Sequence, residues 1–342
     1  MTDKAKILAV DDTSASLKLL TDLLKLEGYE VRSAISGEMA LKSAAANPPD
    51  LVLLDIRMPV MDGYEVCRRL KADPVTRNVP VIFVSAASET EEKVHGFELG
   101  AVDFVTKPYQ RDELFARVRN HLELNRLRHH LEKLVEERTD QVISSHRETI
   151  VTMTRAASYK DEETGAHVAR VSIYCMELAL RMDMGPEFCD LIRYASPMHD
   201  IGKIAIPDAI LGKRGQFDPH EWEILKTHTT LGEKMLSGAN SPYLVMGVEI
   251  AGGHHECWDG SGYPQGLKGE AIPLSARITQ ICDVYDALRS ERPYKLELTH
   301  ERSTEIILKG DGRTMPAHFD PTVFEAFKSC MEQFRGIFEA HK

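Results

Sequence analysis

Three short runs of β-type apolar residues, ILAV at 7–10, LVLL at 51–54 and VIFV at 81–84, alternate with stretches whose apolar positions recur every three or four residues, as in SLKLLTDLLKLEG. Uniformly apolar runs of this length suit strands covered on both faces, and helical stretches between them imply crossovers. Residues 1–122 are therefore expected to form an α/β domain, a doubly wound five-stranded parallel sheet. From 110 to 157 the pattern changes. Gly and Pro are missing, and apolar residues at Leu114, Val118, Leu122, Leu127, Leu131, Leu134, Val135 and Val142 follow three-and-four spacings between charges. That predicts a long helix, with 123–150 as a connector that either packs on its own domains or pairs with a second copy as a homodimer. Beyond about residue 150 the β-type runs nearly vanish, and patterns such as HVARVSIYCMELALRM and ARITQICDVYDALRS predict an all-α domain over 151–342.

Composition narrows the class of protein. With 342 residues, 43% of them hydrophobic and 28% charged, the chain can bury two ordinary cores. No apolar run approaches the roughly 20 residues of a membrane span, and the opening MTDKAKILAVDD lacks the apolar core of a signal peptide, so a cytoplasmic protein without a membrane partner is expected. The six cysteines, Cys67, Cys175, Cys189, Cys257, Cys282 and Cys330, lie far apart, which fits reduced, mostly buried thiols. A net charge of -11 argues against a nucleic-acid partner, since such proteins carry a basic face.

Polar residues gather where the apolar runs end. Asp11 and Asp12 follow the first strand, Asp55 the third, Ser85 the fourth, and Lys107 follows the fifth in DFVTKP. Carboxyl ends of parallel strands are where such sheets place their chemistry, and three converging carboxylates call for a divalent cation such as Mg²⁺. Taken singly, each is an ordinary solvated strand-end residue. Together with Pro59 and Gly63 in MPVMDG and Pro108 behind Lys107, they resemble the receiver domain of two-component response regulators across residues 5–122. The resemblance implies Asp55 as phosphoacceptor, with Asp11 and Asp12 completing an Mg²⁺ site. It implies Ser85 and Lys107 as contacts of the phosphoryl group, Phe104 as the aromatic that changes rotamer, and a cognate sensor histidine kinase as partner.

The second domain concentrates a different chemistry. Five of the 14 histidines, His167, His199, His228, His254 and His255, stand near carboxylates. Glu163 and His167 are four apart, one helical turn on one face. His199 and Asp200 are adjacent in HDIGK, where the carboxylate can bridge two cations, and Lys203 would lie on the same helix, beside the metals and within reach of a phosphate oxygen. Five histidines and two or three carboxylates exceed what a single Zn²⁺ uses, so two or more ions are expected, with Fe, Mn, Ni and Zn all suited to such ligands. Phosphoester hydrolysis is the reaction such a pair performs best. In SERPYK, Arg292 and Lys295 are candidate phosphate contacts and Tyr294 a surface for a base, although a solvated loop would carry the same residues.

The motifs HDIGK at 199–203, HHECWDGSGYP at 254–264 and DVYDAL at 283–288, with TGAHVARV upstream, resemble the HD-GYP group of HD phosphohydrolases over roughly 146–340. The resemblance implies hydrolysis of cyclic di-GMP to pGpG and/or GMP. It implies metal ligands His167, His199, Asp200, His228, His254, His255 and Asp283, with Asp200 bridging and Glu163 permitting a third ion. Two or three transition metals are expected, Fe or Mn ahead of Ni or Zn. His199, Asp200 and Lys203 become the catalytic group, Lys203 holding phosphate. Asp259, Gly260, Gly262, Tyr263 and Pro264 would form a tight loop beside the centre, expected to serve structure or partner contacts. Two further readings stay open: a non-catalytic cyclic-dinucleotide-binding scaffold that contacts diguanylate cyclases through that loop, and a hydrolase for another cyclic dinucleotide or phosphoester.

Overall fold

The computed structural model describes the whole chain except residues 1–3, 87–89, 159, 161–164, 214 and 292–296. It divides into two compact units, Met1–Asp140 and Gln141–Lys342.

In the first unit five parallel strands, β1 (Lys6–Val10), β2 (Glu30–Ala34), β3 (Leu51–Asp55), β4 (Val81–Ser85) and β5 (Asp103–Thr106), stand in the order β2-β1-β3-β4-β5. Helices α1 (Ser14–Leu26), α2 (Gly37–Ala46), α3 (Gly63–Ala72) and α4 (Thr90–Glu98) connect them. The alternation of side chains along each strand builds two cores. Leu8, Val10, Val52, Leu54, Val81 and Phe83 pack on one face, while Ile7, Ala9, Leu51, Leu53, Ile82 and Val84 pack on the other. The edge strand β2 is EVRSA, mostly polar and partly exposed, because only one neighbour and one face cover it.

The order brings the carboxyl ends of β1 and β3 side by side, with β4 and β5 next to them. Asp11 follows β1 directly, Asp55 closes β3, Ser85 closes β4, and the Lys107 amide donates to the Ser85 carbonyl at 2.7 Å.

Helix α5 (Arg111–Ser158) starts on the sheet and continues into the second unit, as the 110–157 pattern predicts. Leu114 and Val118 are fully buried in the first unit, and the Arg117 guanidinium grips Asp103 of β5 at 2.8 and 2.9 Å while His121 Nε2 lies 3.1 Å away. Farther along, Asn125 donates to the Asp50 carbonyl and Arg128 to that of Asn78. In the second unit Ile150 is buried in the core, and Arg147 pairs with Asp190 at 2.6 Å and donates to the Tyr243 hydroxyl.

The second unit is helical among the described residues. It contains α6 (Gly165–Arg181), α7 (Pro186–Ala195), α8 (Asp208–Leu211), α9 (Pro219–Lys226), α10 (His228–Leu236), α11 (Pro242–Gly253), α12 (Leu274–Arg289), α13 (His300–Lys309), α14 (Pro321–Ser329) and α15 (Met331–Ala340). Val171, Leu178, Ile250, Ile281 and an aromatic group of Tyr174, Tyr285, Phe327 and Phe334 form its core. Tyr174 stacks on Phe334 with centroids 4.4 Å apart. Five of the six cysteines are buried and Cys257 is half-buried, all of them free thiols. No described helix is long and apolar enough to cross a membrane.

Burial opposes charge on Asp103, but Arg117, the Phe104 amide and His121 outweigh it and hold its carboxyl below the usual range. A depressed folded value stabilises above the unfolded pKa, roughly 3.9, and the benefit fades as pH falls through the folded one. Asp103→Asn is expected to cost the first unit about 1.5–3 kcal/mol at pH 7. Urea unfolding repeated at low pH checks this, because the gap between variant and wild type should close on acidification.

Candidate metal centre

In the second unit the histidines converge from three helices and a turn. His167 sits in the first turns of α6. His199 follows a 3₁₀ turn over Ser196–Met198, and Asp200 precedes a second one over Ile201–Ala205. His228 begins α10, and His254 caps α11. HDIGK therefore does not lie on one helix as expected. The break between two tight turns lets His199 point one way and Lys203 return to the same carboxylate, with Lys203 Nζ 2.9 Å from Asp200 Oδ2.

Close backbone approach makes this possible. A Cβ on Gly202 would collide with the His228 carbonyl oxygen and come within 2.5 Å of the Gly232 amide nitrogen, so only glycine lets the HDIGK turn lie flat on α10.

Asp200 is the hub. Its Oδ2 lies 3.1 Å from His199 Nε2, while its Oδ1 lies 3.2 Å from His228 Nε2 and 3.7 Å from His254 Nε2. Asp283, from α12, faces His167 Nε2 at 3.5 Å and His199 Nε2 at 4.0 Å. Two ligand groups result, one of His167, His199 and Asp200 and the other of Asp200, His228, His254 and His255, with Asp200 common to both. Glu163, Arg292, Tyr294 and Lys295 lie outside the described residues.

Three of these imidazoles are fixed through their other nitrogen by a backbone carbonyl. His199 Nδ1 bonds to the Ser196 carbonyl at 2.9 Å, His228 Nδ1 to that of Leu225 at 2.7 Å, and His254 Nδ1 to that of Ile250 at 3.0 Å. A carbonyl only accepts, so Nδ1 carries the proton and Nε2 presents its lone pair to Asp200. The buried Nε2 atoms of His228 and His254 and Asp200 Oδ1 make no hydrogen bond although they face one another. Nitrogen and oxygen atoms that are buried, electron-rich and 3 to 4 Å apart fit a shared cation bound about 2 Å from each.

Charge supports that reading. Burial, with help from nearby His254 and Lys203, pushes the His228 imidazole down to about 4, so it is neutral at pH 7. Burial and the neighbouring histidines hold His255 well below its ordinary range. Burial works against ionisation of Asp200, but Lys203 and His199 outweigh it and keep the carboxyl well below normal.

His167 is held by a group the motif reading missed. Its Nδ1 lies 2.8 Å from Oδ2 of Asp286, a fully buried carboxylate that Arg170 grips from both sides at 2.6 and 2.8 Å. Burial would raise the Asp286 carboxyl, yet Arg170 and His167 bring it down to about 2. The signal was available in DVYDAL, where two acids three apart share one face of α12, and in His167 and Arg170, three apart on α6.

The 259–264 loop turns tightly as expected. Gly260 has φ of 87°, and a Cβ on Gly262 would collide with the Cys257 amide nitrogen and sit 2.5 Å from the His255 carbonyl oxygen. The fully buried Glu256 carboxylate accepts from the amides of Gln265 at 2.7 Å and Leu267 at 2.9 Å, which pins the return of the loop.

In the first unit Asp11, Asp12 and Asp55 form a second candidate cation site. Lys107 Nζ lies 2.8 Å from both Asp11 Oδ2 and Asp55 Oδ2, and burial raises the Asp55 carboxyl despite that ammonium. Ser85 is buried beside them, and Phe104 is turned inward between Phe83 and Phe97, with centroids 5.3 and 5.0 Å away.

The dependence of His167 on Asp286 has a measurable consequence. Asp286→Asn is expected to weaken metal binding about 10- to 100-fold with the helical circular dichroism retained, read by elemental analysis after dialysis against graded chelator.

Residues 7–119 match the family model of the response regulator receiver domain, and residues 131–323 match that of the HD domain. A protein of Vibrio cholerae named a probable cyclic di-GMP phosphodiesterase is 41% identical, over 97% of this chain and 79% of its own length. The cyclic di-GMP phosphodiesterase response regulator RpfG of Xanthomonas campestris is 36% identical, over 97% of this chain and 90% of its own. A second Vibrio cholerae protein, a 3'3'-cGAMP-specific phosphodiesterase, is 41% identical over 56% of this chain and 36% of its own. With relatives alike over almost the full chain and both domains matched in order, this protein belongs to the family of response regulators that join a receiver domain to an HD domain.

Proposed function

We propose that this chain is a cyclic di-GMP phosphodiesterase whose HD-domain centre is governed by phosphorylation of Asp55. The observation that carries the reading is the placement of Asp200 between two ligand groups, with one carboxylate oxygen turned to each. His167, His199, Asp200 and Asp283 hold one divalent ion, and Asp200, His228, His254 and His255 hold another. Fe or Mn suits this mixture of imidazole and carboxylate best, with Ni or Zn as alternatives and Glu163 as ligand to a third ion. Bound there, the ions supply a nucleophile from water and stabilise the charge of an in-line displacement at phosphorus.

The chain's own groups do the rest. His199 and Asp200 keep the reacting phosphate between the two ligand groups, and Lys203, 2.9 Å from Asp200, binds a nonbridging phosphate oxygen. Arg292, Tyr294 and Lys295 belong to the same substrate site. The products are pGpG and/or GMP.

In the receiver, Asp11, Asp12 and Asp55 bind Mg²⁺, and a sensor histidine kinase donates the phosphoryl group. That group adds about -1.5 to -2 charges next to Lys107 and Ser85, and Phe104 follows them into a second rotamer. Helix α5 starts three residues after Pro108 and carries the change to the output domain, which gives boundaries of 1–122, 123–150 and 151–342 for receiver, connector and phosphodiesterase. Its exposed Leu124, Leu127, Leu131 and Leu134 are spaced to pair with a second copy as a homodimer. Under the scaffold reading, exposed Asp259 and Ser261 of the 259–264 loop would meet a diguanylate cyclase instead. Tight binding of cyclic di-GMP without turnover in Fe, Mn, Ni or Zn would favour that reading.

Asp200→Ala is expected to abolish hydrolysis and lower bound metal, followed by chromatography of products and elemental analysis of one sample. Hydrolysis at the wild-type rate in that variant would overturn the proposal. Loading Asp55 with a phosphoryl mimic, verified by mass, is expected to change kcat, and equal rates would remove α5 as the route of control.

A further inference from the structure

Aromatic rings lead outward from the metal centre on one side only among the described ring contacts. Tyr263 lies on His255 with centroids 4.7 Å apart and planes 28° apart, so the first ring of the series covers a metal-facing imidazole. Trp222 meets Tyr263 edge-on at 6.2 Å, and Phe217 lies behind Trp222 at 6.3 Å and 28°. Lys226 Nζ stands 5.8 Å from the Tyr263 centroid and pairs with Glu223 at 2.7 Å.

The position of Trp222 is fixed by the element that fixes the centre. Helix α9 is locked at its start by a capping box, in which the Asp218 carboxylate accepts from the Glu221 amide and Glu221 accepts from that of Asp218, and Lys213 pairs with Glu221. At its other end the Leu225 carbonyl orients His228. One eight-residue helix thus holds both a ligand histidine and the indole. Yet Trp222 stays 39% exposed, an unusual state for the largest apolar side chain on an anchored helix beside a reaction centre.

The metal centre acts on phosphorus and cannot read a base. A nucleotide substrate carries flat purines about one nucleoside away from its phosphorus, and an exposed indole is the chemistry that holds them. Resting on the phosphodiesterase reading above, we infer that Trp222, braced by Phe217 and Tyr263, is the stacking platform for one purine of the cyclic dinucleotide, with Lys226 beside it. Stacking uses the π-face rather than the hydrogen-bonding edge, so the platform grips guanine and adenine alike and selects nucleotides over simple diesters.

The chain has two tryptophans, which makes the test direct. In a Trp258→Phe background Trp222 is the sole indole, and titration with GMP is expected to quench its fluorescence while inorganic phosphate at equal concentration does not. Equal response to both, or none to GMP, overturns the platform. In turnover assays Trp222→Ala is expected to raise KM for cyclic di-GMP about 5- to 150-fold, with Trp222→Phe recovering most of the loss. The loss on bis(p-nitrophenyl) phosphate, which has no purine, should be smaller, and an equal loss on both substrates overturns the proposal. Quenching by GMP in a protein that turns over no cyclic di-GMP would support the platform while defeating the phosphodiesterase reading.

Discussion

The candidate centre depends on one constraint, the tying of Nδ1 in four of its five imidazoles so that Nε2 must face inward. For His199, His228 and His254 the tie is a carbonyl three or four residues earlier in the same helical turn, and for His167 it is Asp286. A histidine free to change tautomer or rotate would present a proton to Asp200 half the time and repel a cation. Helical backbone supplies carbonyls at that offset near every carboxyl-terminal turn, which explains why these three histidines sit at helix ends and 3₁₀ turns rather than in the middle of helices. His167 is the exception. It lies early in α6, where amides rather than carbonyls are unsatisfied, and the missing acceptor is provided by Asp286 of another helix.

That exception brings its own requirements. Asp286 is a buried anion and would be costly alone, so Arg170 sits on it with two hydrogen bonds and Ser290 adds a third donor. Arg170 also donates to the His341 carbonyl near the end of the chain and lies 4.8 Å from the Phe338 ring. His167 is in this way connected through Asp286 and Arg170 to the last helix of the domain, so packing at α15 bears on the candidate centre without touching it.

Much of this was legible in the sequence, for identifiable reasons. Strands β1, β3 and β4 are buried on both faces and read as unbroken apolar runs, whereas β2 is an edge strand whose EVRSA carries no such mark. The histidines that the structure brings together could be picked out because carboxylates and glycines stand beside them at fixed offsets. Asp286 could not, because its meaning depends on α6 and α12 packing side by side, and a second acid in DVYDAL looks like helix surface until that packing is known. The HDIGK segment misled for a related reason. Its spacing suits an α-helix, but the chain forms two 3₁₀ turns there instead, with Gly202 packed against the His228 carbonyl where a Cβ has no room. Trp222 carried no signal at all, since a tryptophan in a short amphipathic helix is ordinarily core.

The two domains solve the same electrostatic problem in the same way. In the receiver, Lys107 stands 2.8 Å from Asp11 and Asp55, and in the HD domain Lys203 stands 2.9 Å from Asp200. Each candidate site gathers carboxylates that a bound divalent cation would neutralise, and each holds an ammonium at hydrogen-bond distance from at least one of them. Under the proposed function, a cation that took over the carboxylate charge would release the lysine to an incoming phosphoryl or phosphate oxygen. The long flexible stem of lysine suits this exchange better than the rigid fork of arginine, which in the HD domain holds the buried Asp286 behind His167. In the HD domain a flexible ammonium thus faces the candidate centre while a fixed guanidinium stands behind one of its histidines through Asp286.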